Sequence, residues 1–116
     1  MGESSRETIE FDDFLKVEIR TGTITEAKLN PKARVPAYAL TIDFGALGLR
    51  RSSAQVTRNY SETDLIGKQI VAVLNFEPKR IAGVKSEVLV LGTVCENNGV
   101  VLLEPTFPAD NGMPVA

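Results

Sequence analysis

Residues 61–68, with the sequence SETDLIGK, predict a short helix, and the position of this helix among strand patterns constrains the fold most strongly. The leading serine can cap the first turn, acidic side chains follow it, and Gly67 ends the pattern. Three segments rich in β-branched and apolar residues precede this helix, and three follow it. The chain is therefore expected to be mainly β, with one helix between its third and fourth strands.

Turn residues separate the predicted strands. The first strand is IRTGTITEAKL, residues 19–29, in which Gly22 indicates a bend or bulge. YALTIDFG and LRRSSAQVT then predict a hairpin, QIVAVLNF the fourth strand, EVLVLGTVC the fifth, and VVLLEP a short sixth after an Asn-Asn-Gly turn. This order is that of an OB-fold, a five-stranded Greek-key barrel. An SH3-like barrel has as many strands but would not place a capped helix there.

Both ends of the chain carry further predicted elements. Residues 1–10 are polar and are expected to form a flexible extension. A short helix is predicted from about Asp12 to Val17, because large apolar residues recur there at helical spacing. A C-terminal extension follows the sixth strand. Residues 11–116 are expected to form one domain, since a chain of 116 residues suits a single core.

The composition excludes several classes of function. The chain has no histidine, so a Ser-His-Asp or Cys-His arrangement cannot form, and a zinc site would have only one cysteine and carboxylates. Gly67-Lys68 lacks the upstream glycine of a phosphate-binding P-loop. No apolar run approaches the roughly 20 residues of a membrane span, and Met1 to Ile19 lacks a signal-peptide pattern. We expect a cytoplasmic protein with no catalytic residue, metal, cofactor or membrane insertion.

The single cysteine, Cys95, lies in the apolar run of residues 88–95. It has no partner for an internal disulfide. Free cysteines in such apolar segments are usually buried and behave as small hydrophobic residues. The sequence therefore predicts a buried, unreactive thiol.

Charge is distributed unevenly along the chain, although the net charge is only −2. Residues 1–18 carry two basic and six acidic side chains, residues 19–85 eleven basic and five acidic, and residues 86–116 four acidic and none basic. This segregation would let one face present a positive field to a polyanion, unless the segments mix on the folded surface.

The segment NFEPKRIAGVKSEVLVLG, residues 75–92, predicts a basic loop that leads into a buried strand. A proline and a glycine restrict the turn and hold Lys79, Arg80 and Lys85 close together. Lysine acts on phosphate as a point charge, and arginine can fork onto two phosphate oxygens. The loop either grips an RNA backbone or is a solvated turn.

In the predicted third strand, Arg51 and Ser53 share one face and Arg50 and Ser52 share the other. The alternation does not indicate which set faces outward. Two serines in the middle of a strand favour surface or hydrogen-bonding roles, because buried hydroxyls need partners.

Aromatic residues are few, and only Tyr38 and Phe76 adjoin the basic segments. Proteins that bind long single strands without sequence preference usually offer several stacking platforms. Limited stacking beside a positive face suits a folded RNA that is recognised by shape, such as tRNA.

Four ordered blocks of the sequence, FLKVEIRTGTI, RRSSAQVT, VAVLNFEPKRIAGVKSEVLVLG and LLEPTFPADNG, resemble the CsaA family of small tRNA-binding, chaperone-like proteins. More broadly they are similar to the tRNA-binding OB domain appended to some methionyl-tRNA synthetases. The resemblance extends from about Phe11 to Gly112, and the pattern Asn-Phe-x-Pro-x-x-Ile-x-Gly-x-x-Ser-Glu within it is specific.

This resemblance implies an RNA-facing surface and a homodimer. The implied RNA-facing residues are Arg20, Arg50, Arg51, Ser52, Asn75, Lys79, Arg80, Ser86 and Glu87. The implied dimer contacts are Phe11, Phe14, Leu15, Leu103, Pro105, Phe107 and Pro108. The implied function is non-catalytic binding of tRNA or similarly structured RNA. The alternative is a chaperone or export factor that binds unfolded polypeptides.

Overall fold

The computed structural model describes residues 6–116, and the described chain is built around a curved antiparallel sheet. The helices are α1 (Phe11–Leu15) and α2 (Glu62–Leu65). The strands are β1 (Ile19–Leu29), β2 (Tyr38–Asp43), β3 (Leu49–Ala54), β4 (Gln69–Val73), β5 (Lys79–Ile81), β6 (Val84–Ser86), β7 (Leu89–Val90), β8 (Gly92–Cys95) and β9 (Gly99–Leu102). The main sheet has the order β3-β2-β1-β4-β7, and α2 lies between β3 and β4, so the predicted OB-fold is confirmed.

Strand β1 is long enough to pair with two neighbouring strands. Its first half pairs with β4 and its second half with β2, and the register shifts between Ile24 and Glu26. Gly22 lies against two buried side chains, Ile42 and Phe44. A Cβ atom at this position would lie 2.7 Å from ring carbons of Phe44 and 2.8 Å from Cγ2 of Ile42. The absence of a side chain therefore permits the close approach, and the bulge itself follows three residues later.

The barrel is closed where β3 meets the chain just before β7. The amide of Glu87 donates to the carbonyl of Arg51 (2.8 Å), and the hydroxyl of Ser52 donates to the carbonyl of Val88 (2.8 Å). The amide of Ser53 donates to the hydroxyl of Ser86 (3.2 Å). The enclosed core includes seven apolar side chains with no exposed surface: Ile24, Leu40, Ile42, Phe44, Leu65, Ile70 and Ala72.

Helix α2 has the predicted caps. The Asp64 amide donates to the hydroxyl of Ser61 (3.2 Å), and the Ser61 amide donates to the carboxylate of Asp64 (2.9 Å). Gly67 has a φ of 89° and ends the helix. Helix α1 ends two residues earlier than predicted. Neither helix of the described chain is long and apolar enough to cross a membrane.

The predicted basic loop contains a small hairpin, formed by β5 and β6. Its two-residue turn is made by Ala82 and Gly83, with φ angles of 49° and 86°. Two consecutive positive φ angles match the right-handed twist of a tight hairpin. We call this element the basic hairpin, residues 79–86. The loop prediction was wrong because alanine rarely takes a positive φ and did not mark the turn.

The predicted fifth strand is divided into two strands that belong to different sheets. β7 completes the barrel beside β4, whereas β8 leaves the barrel and pairs with β9. Cys95 ends β8 and is exposed, so the predicted buried thiol was wrong. The backbone N–H groups of Asn98 and Asn97, with a smaller effect from Arg58, hold the pKa of the Cys95 thiol below its ordinary value.

The C-terminal residues 112–115 lie along the first half of β1. The Gly112 amide donates to the carbonyl of Thr21 (2.7 Å), and the Val115 amide donates to the carbonyl of Ile19 (2.9 Å). At the other end, residues 6–10 are exposed and have no regular structure. The predicted flexible extension begins at residue 1, and its residues 1–5 lie outside the described residues.

Candidate nucleic-acid interface

The basic hairpin holds three cations on a short, hydrogen-bonded frame. Arg80 lies directly across from Lys85, and Lys79 lies across from Ser86. All three cations are exposed, and the guanidinium of Arg80 donates to the carbonyl of Gly83 (3.1 Å). Like charges directly opposite each other destabilise a strand pair. A bound anion would relieve this repulsion.

The ion pairs of the described chain do not involve the cations of the basic hairpin. Among residues 6–116, the ion pairs are Lys16 with Asp13 (3.5 Å), Arg20 with Glu18 (3.0 Å) and Lys68 with Glu104 (3.2 Å). No cation of the basic hairpin is in any of these pairs. Its positive charge is therefore not neutralised by a carboxylate within the described chain.

Strand β3 lies next to the basic hairpin and adds a further cation, Arg51; we call the surface formed by Arg51 and the basic hairpin the basic face. Arg51 is exposed, whereas Ser52 is only 1% exposed and Arg50 is half-buried. Arg51 and Ser53 therefore form the outward set, and Arg50 and Ser52 the inward set. The guanidinium of Arg50 donates to the carbonyl of Leu47 (3.3 Å) at the start of β3.

Burial makes Ser52 unsuitable as an RNA contact. Its hydroxyl lies inside the barrel and is already used in the bond to Val88. The implied RNA-facing role of Ser52 was therefore wrong, whereas the predicted hydrogen-bonding role is present. Serines in the middle of a strand indicate that their hydroxyls need hydrogen-bond partners, but not which residues supply them.

Two further residues of the implied RNA-facing set hold the protein's own backbone. The side-chain amide of Asn75 donates to the carbonyl of Lys16 (2.6 Å) and accepts from the amide of Glu18 (2.9 Å). The guanidinium of Arg20 donates to the carbonyl of Gly112 (2.9 Å) and pairs with Glu18. Asn75 thus positions the linker before β1, and Arg20 positions the C-terminal segment.

A groove opens at the base of the basic hairpin, and we call it the hairpin groove. Its volume is about 350 Å³, and it is lined by Phe76, Glu77, Lys79, Ile81, Ser86, Glu87, Val88 and Leu89. Ser86 and Glu87 are half-buried there. The carboxylate of Glu87 accepts a hydrogen bond from the Arg51 amide (2.9 Å).

The loop between β1 and β2 carries two cations that sequence reasoning did not assign, Lys32 and Arg34. The side-chain amide of Asn30 donates to the carbonyl of Ala82 (3.1 Å) and so ties this loop to the basic hairpin. Lys32 and Arg34 are exposed and line a second groove beside Ile81 and Ala82. The only sequence signal for these two cations was their place in the basic segment, residues 19–85. The hydrogen bond from Asn30 joins residues 52 positions apart, so it leaves no local pattern.

The implied dimer residues lie mostly on the surface. Phe11 is 70% exposed, Leu15 60% and Phe107 79%, whereas Phe14 is half-buried. The rings of Phe11 and Phe14 are 6.3 Å apart. Phe11, Phe14 and Leu15 line one groove together, so α1 presents an apolar surface.

The described residues contain no group of three or more cysteine, aspartate or glutamate side chains placed to hold a metal. The exposed side chains of the basic face include the charged groups Arg51, Lys79, Arg80 and Lys85. Such groups can position a polyanion.

Comparison with known proteins matches most of the chain to one described family. Residues 19–114 match the family described as "Putative tRNA binding domain". The solved structure of the chaperone CsaA from Bacillus anthracis str. Ames is 55% identical, with a TM-score of 0.90, and the match covers 95% of this chain and 100% of that one. The CsaA chaperone protein of Picrophilus torridus is 46% identical, with a TM-score of 0.88, over 94% and 100% of the two chains.

A curated relative is much longer. The methionine–tRNA ligase of Flavobacterium johnsoniae is 33% identical over 113 residues, which is 97% of this chain. The match covers only 16% of the ligase. The likeness therefore concerns one part of that enzyme.

Proposed function

Because the chain belongs to the tRNA-binding domain family and to the CsaA proteins, we propose that it binds tRNA or similarly folded RNA without catalysing a reaction. The observation that carries this proposal is the pair of facing cations on the basic hairpin, Arg80 and Lys85, neither of which has a carboxylate partner among residues 6–116. Phosphate groups would neutralise this charge and remove the repulsion across the hairpin.

The exposed cations of the basic face suit recognition of an RNA backbone. Lys79, Arg80 and Lys85 project from a hairpin, and Arg51 projects from the neighbouring strand, so their spacing is held by backbone hydrogen bonds. Tyr38, one of the two aromatic residues near the basic segments, is buried and donates its hydroxyl to the carbonyl of Tyr60 (2.7 Å). Limited stacking favours a folded RNA over a long single strand.

A salt titration of tRNA affinity tests this function. If four cations contact phosphates, the logarithm of affinity falls with the logarithm of salt concentration with a slope of about −2.8 to −3.6. An affinity for tRNA that is absent, or that does not respond to salt, would overturn the proposal. A tRNA ligand would also place the protein in the cytoplasm.

We also propose that the functional unit is a homodimer. The support is the exposed apolar surface of α1 and the C-terminal segment, including Phe11, Leu15 and Phe107. Pairing of two copies would remove this surface from water. A dimer would also offer two basic hairpins to one RNA, which raises the effective affinity when both can engage.

Binding of unfolded polypeptide is the second candidate. Exposed apolar side chains on β7 and β8 favour it, since Leu89 is 50% and Val94 85% exposed, and both line an apolar groove. The two solved relatives are themselves described as chaperones. Such binding would rest on apolar burial and depend weakly on salt. A peptide affinity that falls with salt as steeply as the RNA affinity would mean that one basic surface serves both ligands.

A further inference from the structure

The hairpin groove combines apolar walls with acidic groups, although it lies within the basic face. Phe76 is 56% exposed and forms one wall with Ile81 and Leu89. The hairpin groove has a volume of about 350 Å³, which is at the lower end for sites that bind small ligands. The groove therefore fits one flat ring system and is too small for a helix.

The acidic groups disfavour phosphate as the occupant. Glu77 and Glu87 both line the groove and outnumber its one cation, Lys79, so the lining is acidic on balance and repels a phosphate. Carboxylates instead accept hydrogen bonds from N–H groups. The cations that attract phosphate lie next to the groove, since Lys79 lines it and Arg80 follows in the same strand.

Glu87 and Ser86 keep hydrogen-bonding capacity after making their bonds within the protein. One oxygen of Glu87 accepts from the Arg51 amide (2.9 Å), and a carboxylate has about four acceptor positions. The hydroxyl of Ser86 accepts from the Ser53 amide (3.2 Å) and still has its own hydrogen to donate. A donor and an acceptor are thus adjacent at the edge of an apolar groove.

We propose that the hairpin groove holds one unpaired nucleobase that carries an exocyclic amino group, stacked on Phe76, with Glu87 accepting from the amino group. This inference rests on the proposed function, because the basic hairpin would hold the phosphates of the same RNA. A carboxylate accepts from the amino group of cytosine, whereas uracil presents an oxygen at the equivalent position. The groove adds base recognition to a surface that otherwise contacts only the backbone.

Labelled hexamers of cytidine and of uridine test this site, because the two bases have the same ring size. We expect the wild-type protein to bind the cytidine hexamer more tightly. Phe76→Ala should weaken binding of both hexamers by roughly 5- to 150-fold, the range for loss of one base–aromatic stack, and leave the salt slope unchanged. Glu87→Gln should remove the preference for cytidine. Its side-chain carbonyl can still accept from the Arg51 amide, so the fold is retained.

Glu96→Gln is the matched control, because this exposed residue lies outside the groove and loses the same charge. It should leave the preference for cytidine intact. Equal affinity for the two hexamers, no binding of either, or an unaffected Phe76→Ala protein would overturn the base site. Displacement of the cytidine hexamer by an unstructured apolar peptide, with tRNA still bound, would assign the groove to polypeptide. Failure of the wild-type protein to bind tRNA would instead overturn the proposed function.

Discussion

The hydroxyl of Ser52 donates a 2.8 Å hydrogen bond to the carbonyl oxygen of Val88, which lies 36 residues further along the chain. This bond joins β3 to the segment that enters β7, and Ser52 is only 1% exposed. A polar side chain in the middle of a strand thus closes the barrel instead of facing a ligand.

Ser52→Ala should destabilise the fold by about 1 to 3 kcal/mol, because the carbonyl of Val88 would lose its donor in a buried setting. Urea denaturation followed by circular dichroism measures this loss. Ser53→Ala is the matched control on the outward set, and we expect it to change stability by about 0.5 kcal/mol or less. Equal losses for the two variants would show that the Val88 bond contributes nothing specific.

Gly22→Ala should destabilise the protein by about 3 kcal/mol, because its Cβ would lie 2.7 Å from the buried ring of Phe44. Gly48→Ala tests backbone strain alone. No atom lies within 4 Å of a Cβ at that position, but its φ of 88° and ψ of −174° are essentially open to glycine only, so we expect a loss of about 1 to 3 kcal/mol. Thermal or urea unfolding would compare the stabilities of the two variants. A smaller loss of stability for Gly22→Ala than for Gly48→Ala would contradict the close contact with Phe44.

The double change Lys79→Ala, Arg80→Ala should weaken binding to different tRNAs about equally. Loss of two phosphate contacts should flatten the salt slope by roughly 1.4 to 1.8. Lys68→Ala is the control, because its ammonium already pairs with Glu104 (3.2 Å). An unaltered slope in the double variant would indicate a solvated turn, and selective loss for one tRNA would indicate base recognition by these two residues.

Phe11→Asp should convert the proposed dimer into monomers. Phe11 is 70% exposed in the single chain, so the change should spare the fold but place an unpaired charge in the subunit contact. Light scattering at micromolar concentration gives the mass of each protein. A variant that remains dimeric would place the contact elsewhere, and a monomeric wild-type protein would refute the dimer itself.

Alkylation of Cys95 should show a pH midpoint below that of the same protein unfolded in urea. The amides of Asn98 and Asn97 stabilise the thiolate and lower the pKa of the thiol. Because the thiolate is the reacting form, the rate of reaction with iodoacetamide rises at a lower pH in the folded protein. Identical midpoints in the folded and unfolded protein would contradict this effect of the turn.

Local signals in the sequence predicted much of the fold. Ser61, Asp64 and Gly67 define α2 within seven residues, and such short-range capping can be recognised without tertiary information. The division of the fifth strand was not predicted, because residues 87–95 form one continuous run rich in apolar and β-branched residues. Their separation depends on which partners, β4 or β9, lie beside them.

Exposed charged residues of the candidate site could be predicted from the sequence. Residues whose role depends on a hydrogen-bond partner far away in the sequence could not. Lys79 and Arg80 are exposed on the basic hairpin, and their contact with RNA stays a prediction. Arg20 was implied to face RNA in the same way, yet its guanidinium donates to Gly112, 92 residues away. Contacts at that separation leave no pattern in a single sequence.

The C-terminal segment along β1 also bears on how quickly the protein folds. Its bonds to β1 join residues about 90 positions apart, and the closure between β3 and Val88 spans 36. Folding slows as contacts become more distant in sequence, and barrels dominated by such pairings fold in milliseconds to seconds. We expect the β1–β2–β3 meander to form early, since its contacts are local, and docking of residues 112–115 to come last.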